Sequence, residues 1–104
     1  MNLEFDEPIA ERAIEGVGGR EVVVKVGPLR IEGPMWYCPY RIEGLDAPYA
    51  MFGAGADGIQ ALISALSNIG AYLNAQTELG LDNGLDFLGF LDASRLPRMP
   101  VADG

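Results

Sequence analysis

Apolar and polar positions alternate with period two in the first half of the chain and with period 3.6 in the second. Glu21 to Val26 carries Val22, Val23, Val24 and Val26, a β-branched run suited to a pleated sheet. Ile9 to Glu15 precedes it across a Gly16-Val17-Gly18-Gly19 turn, so the two segments are expected to pair as a hairpin. Gly27-Pro28 breaks the second strand, and Gly33-Pro34 closes the loop that follows. Met35 to Glu43 is the third strand, with Trp36, Cys38, Tyr40 and Ile42 on one face and Tyr37 and Arg41 on the other. Pro39 has no N–H to donate, which predicts an edge or a bulge. Tyr49 to Phe52 is a fourth, short strand.

The pattern then changes. Ile59, Leu62, Ile63, Leu66, Ile69, Gly70 and Leu73 recur at three- and four-residue steps and fill a sector of about 120° at 100° per residue, with Ala61, Ala65 and Tyr72 extending the stripe on one side. Asp57 with Gln60 three residues on forms a capping box, and Gly80 is a stop signal. Beyond it, residues 81–92 alternate apolar and acidic groups around Asn83-Gly84, with a fifth short strand expected near Leu85–Leu88. The order of elements predicts an α+β domain: an antiparallel sheet of about four strands packed against one long amphipathic helix. The length of 104 residues fits a single domain, here residues 1–95, with a loose acidic lead-in over 1–8 and a flexible tail over 96–104.

Charge narrows the choice of partner. Fifteen acids face seven bases, a net charge of −8, and residues 42–94 hold seven acids and no base. Phosphate backbones and anionic membrane surfaces are bound through Lys and Arg, so nucleic acid and membrane are not expected partners. The polar residues within the uncharged run Gly58–Thr77 argue against a spanning helix. A basic protein is favoured, with Glu78, Asp82, Asp86 and Asp92 as the acidic binding residues. A twelve-residue calcium loop starting at Asp82 would need Glu where Ala93 stands, so no metal site is expected.

No catalytic set is evident. Histidine is absent, which removes Ser-His and Cys-His dyads within this chain. The lone Cys38 allows no intrachain disulfide, and it is expected to be a buried, inert thiol in a cytoplasmic protein. Gly53, Gly55 and Gly58 match the G-x-G-x-x-G spacing, but Asp57 would set a carboxylate beside a pyrophosphate, and only 46 residues follow Gly58. No cofactor is expected. The helix arc formed by Gln60, Ser64, Ser67, Asn68, Ala71, Asn74 and Ala75 is uncharged throughout, although exposed helix faces usually carry Lys and Glu. That arc is expected to contact a partner or a second copy of the chain. The sequence therefore predicts a non-catalytic protein-binding domain of the inhibitor or immunity type. The alternative is a small-ligand or enzymatic domain using the Gly53–Gly58 loop and the aromatics Trp36, Tyr37 and Tyr40.

The stretch Trp36-Tyr37-Cys38-Pro39-Tyr40-Arg41-Ile42-Glu43-Gly44, followed by Gly58-Ile59-Gln60-Ala61-Leu62-Ile63-Ser64-Ala65-Leu66, resembles a small bacterial domain family of unknown function. Ile9-Ala10-Glu11-Arg12 fits the same pattern, so the resemblance spans roughly residues 9–90. It implies a bacterial or phage source and a sheet-plus-helix domain. It carries no catalytic motif and assigns no residue a role.

Overall fold

The computed structural model describes residues 1–81 and 86–92, with the backbone alone for 86 and 87. Five strands form one antiparallel sheet: β1 (Ala10–Glu15), β2 (Glu21–Val26), β3 (Arg30–Glu32), β4 (Met35–Glu43) and β5 (Tyr49–Gly55). A single helix, α1 (Gly58–Asn74), follows. β1 pairs with β2, and β2 with the second half of β4 from Tyr40 to Glu43. β3 pairs with the first half of β4, from Met35 to Tyr37. β5 pairs along β4 from Trp36 to Ile42. Thus β2 and β3 lie end to end along one side of β4, and β5 occupies the other.

The expected four strands become five because Arg30–Glu32, read as loop, forms a hairpin with β4. Its two-residue turn is Gly33-Pro34, and Gly33 sits at φ +60°, a value that favoured hairpin turns require at their first central position. Pro39 is not at an edge. Its carbonyl accepts from Gly27 N–H at 2.8 Å, so its backbone polar groups face the side shared by β2 and β3. The missing N–H therefore falls at the interruption between Val26 and Arg30, where no ladder bond is lost.

α1 covers one face of the sheet. Val22, Val24, Val26, Cys38, Tyr40 and Ile42 are buried beneath it, as period two predicts. On the helix, the buried line is Ala61, Ala65, Ile69 and Leu73, spaced by four. The expected stripe lay further round: Ile59 is 71% exposed, and Leu62 and Leu66 only flank the core. The cause is close approach. A methyl group at Gly53 would come within 2.6 Å of Ala65 Cα, and one at Gly55 within 2.8 Å of Ala61 N. Two glycines in β5 face two alanines in α1, and the helix turns to bring those small residues onto the sheet.

The helix ends at Asn74, before a 3-10 turn at Thr77–Leu79 that closes on Gly80 at φ +60°. The expected strand near Leu85–Leu88 is instead a 3-10 turn, Asp86–Gly89, which packs on α1. Its Leu88 is buried, and the Leu88 carbonyl accepts from Arg12 Nη1 at 2.9 Å while the guanidinium lies 4.6 Å from the Phe90 ring centroid. The tail over 96–104 lies outside the described residues.

The acidic lead-in is not loose. It crosses the sheet face opposite α1, where Phe5 is buried against Gly27 with its ring 4.4 Å from the Arg41 guanidinium. Arg30 donates to the carbonyls of Asn2 and Glu4, both at 2.6 Å, and Arg41 to that of Phe5 at 2.7 Å. This segment buries Tyr37, which alternation had placed on the uncovered face.

Candidate functional site

β5 carries no charged residue from Tyr49 to Gly55. Among the described residues it has β4 on one side and no strand on the other. Its register identifies which backbone groups are free. Phe52 pairs with Pro39, whose polar groups face away from β5, so the pair is of the non-hydrogen-bonded kind. The N–H and C=O of Phe52 consequently point away from β4, and alternation gives the same direction to Ala50 and Ala54. The other edges differ. β1 carries Glu11, Arg12 and Glu15, and β3 is three residues long with Arg30 and Glu32. Charge and brevity are the usual protections of a sheet edge, and β5 has neither.

The uncharged arc of α1 adjoins this edge. A groove of about 390 Å³ is lined by Tyr40, Tyr49, Met51, Asn68, Ala71 and Tyr72, together with Phe52, so it joins strand to helix. Tyr49 and Tyr72 stack with ring centroids 4.0 Å apart, and Tyr40 lies 6.4 Å from Tyr49. Burial first, and then the neighbouring Tyr49, push the Tyr40 hydroxyl well above its ordinary value. Met51 is 44% exposed at the rim.

The expected arc is only partly at the surface. Asn68, Ala71, Asn74 and Ala75 are exposed, while Gln60 and Ser64 are half-buried. Ser67 is 7% exposed, a correction: it lies on the side of α1 away from Ala61, Ala65 and Ile69, so a contact other than the sheet covers it. Gln60 also serves the cap: Asp57 Oδ1 accepts from Gln60 N–H at 2.8 Å, and Gln60 Oε1 accepts from Ala56 N–H at 3.0 Å.

Gly53 and Gly55 lie within β5, against the helix. They set the spacing of two layers, which leaves no room for a phosphate between strand and helix. Cys38 is fully buried, and burial pushes its thiol up to about 11. Among the described residues no group of three or more His, Cys, Asp or Glu is placed to hold a metal. No helix there is long and apolar enough to cross a membrane.

Of the four acidic candidates, Glu78 is exposed on the 3-10 turn at Thr77–Leu79, and Asp92 is half-buried. Asp82 and the side chain of Asp86 lie outside the described residues. All eleven acids from Glu4 to Glu78 are exposed. Every cation among the described residues is engaged within the chain: Arg20 with Asp46, Lys25 with Glu43, Arg41 with Glu43 and Phe5, and Arg12 and Arg30 with backbone carbonyls. The Lys25 ammonium, and then Arg41, hold the Glu43 carboxyl below the usual carboxylate range.

Sequence reasoning missed the edge because it ended the strand at Phe52 and read Gly53–Gly58 as loop. The signal was present: the last strand before a covering helix, without charge over its length.

The fold and its exposed edge define a small α+β domain, five antiparallel strands under one helix. The chain belongs to a family described as a domain of unknown function, DUF6968, which matches residues 10–91. No curated protein and no solved structure matches it.

Proposed function

We propose that this chain is a non-catalytic protein-binding domain that docks through the open edge of β5 and the adjoining uncharged arc of α1. The observation that carries the reading is the edge itself: seven residues without charge, unpaired among the described residues, and continuous with a helix face of Asn68 and Ala71. An extended segment added there gains main-chain hydrogen bonds, and the groove receives its side chains. The acidic surface sets the chemistry of any unlike partner. With the described cations tied down internally and eleven acids exposed, a basic protein is steered in and an anionic one is repelled. An inhibitor or immunity-type role against a basic protein is the specific form of this reading.

The test is co-purification from the native host with the wild-type chain and Ala50→Pro in parallel. The Ala50 N–H faces outward, so proline there spares the β4–β5 ladder and removes an edge donor. A stoichiometric partner, or a second copy, that is retained by wild type and lost by Ala50→Pro supports the reading. Partners retained equally by both chains would refute docking at this edge.

A further inference from the structure

We propose that the occupant of the β5 edge is the β5 edge of a second copy, giving a two-fold dimer with one continuous ten-stranded sheet. The proposal rests on the docking reading above and names its partner. Three observations carry it.

The first is register. An antiparallel pair centred on Phe52 sets Phe52 opposite Phe52, Ala50 opposite Ala54, Met51 opposite Gly53 and Tyr49 opposite Gly55, using the strand from end to end. The residues whose polar groups point outward are Ala50, Phe52 and Ala54, and these are the ones this register sets opposite one another as hydrogen-bonded pairs. The strand is thus self-complementary, as an isologous two-fold contact requires.

The second is size. On the helix side each large residue, Tyr49 or Met51, meets a glycine of the other copy. Met51, 44% exposed in the single chain, comes to lie beside the other copy's Gly53.

The third is charge. Two copies of a chain with net charge −8 repel each other except where a surface is neutral. The β5 edge and the exposed part of the α1 arc form such a surface. The acids at the ends of the strand are engaged elsewhere: Asp46 pairs with Arg20 at 3.1 Å, and Asp57 caps α1.

The experiment is the molar mass of the purified full chain by light scattering over a concentration series, with Ala50→Pro and Met51→Lys beside it. Circular dichroism checks that each variant is folded, and hydrogen exchange follows the amides of Ala50, Phe52 and Ala54. Wild type is expected to reach twice the 11.1 kDa chain mass, with those three amides slowing at least tenfold as concentration rises. Both folded variants are expected to stay at the single-chain mass. A wild-type chain that remains at the single-chain mass to millimolar concentration overturns self-pairing. A dimer that persists in both folded variants overturns it as well. If self-pairing fails but Ala50→Pro still loses a stoichiometric host protein, the edge serves an unlike partner and the docking reading stands. If neither contact depends on Ala50, both fall.

Discussion

Cys38 pairs with Gly53 across the β4–β5 ladder and sits beneath α1 without solvent contact. Burial raises its thiol from about 9.0 to about 11, because the thiolate has no countercharge there. At pH 8 the native thiol is expected to react with a thiol reagent at least about a hundredfold more slowly than in denaturant. The raised value also carries a stability consequence. The contribution of the neutral thiol is fully present below pH 9.0 and is lost as pH rises through about 11. Chemical denaturation between pH 8 and 11 should therefore show wild type losing more stability than Cys38→Ala. Gly53 makes a second test at this scale. Gly53→Ala drives a methyl into the α1 backbone and is expected to cost about 1–3 kcal/mol or more, whereas at Gly58 the nearest atom is the flexible end of Leu29 at 3.1 Å. Gly58→Ala should be neutral within about 1 kcal/mol by denaturant melts. The opposite ranking would mean that Gly53 does not approach the α1 backbone as described.

Among the elements, β2, β4 and the helix start were legible in the sequence because each rests on a local signal: β-branched runs, period two, and an Asp57–Gln60 box. β3 was not, because three residues carry too little pattern; only its two-residue Gly-Pro turn, placed before a long strand, implied a partner. The azimuth of α1 was not legible either. A hydrophobic stripe gives the mean direction of large side chains, but small residues decide which line approaches the sheet, and Gly53 and Gly55 choose Ala61 and Ala65. Leu66, central in the stripe, therefore flanks the core, and Ile69 occupies it. Ile69→Ala is expected to destabilise by about 2–5 kcal/mol, while Ile59→Ala should change stability by less than about 0.5 kcal/mol. Equal losses by urea denaturation would contradict the helix orientation. Of the candidate site, the uncharged arc was legible from composition. The edge beside it was not, since edge and interior positions of a sheet are set by pairing and not by local sequence.

For the molecule as a whole, charge is the property that reaches furthest. The net charge of −8 comes with eleven exposed acids among the described residues, none of them on the β5 edge or on the exposed arc of α1 beside it. Association with a basic partner is expected to slow about tenfold or more between 20 and 300 mM salt, through the on-rate. Glu78→Lys should lower that on-rate and flatten its salt dependence, as measured by stopped flow. Self-association through the neutral edge has the opposite sign and should strengthen with salt. A flat response in both would mean that the acids serve solubility alone.

The clasp on the reverse face distributes mutational freedom unevenly. Arg30 and Arg41 grip the carbonyl oxygens of Asn2, Glu4 and Phe5, and a carbonyl is the same whatever side chain follows it. Glu4 can therefore drift in identity while the grip persists, whereas Asn2, whose Oδ1 accepts from Glu4 N–H at 3.0 Å, Phe5, through its ring on Gly27, and the two arginines use their side chains. A stretch like this escapes notice in any comparison of letters. It is written in the donors some thirty positions downstream, and its inheritance passes through them.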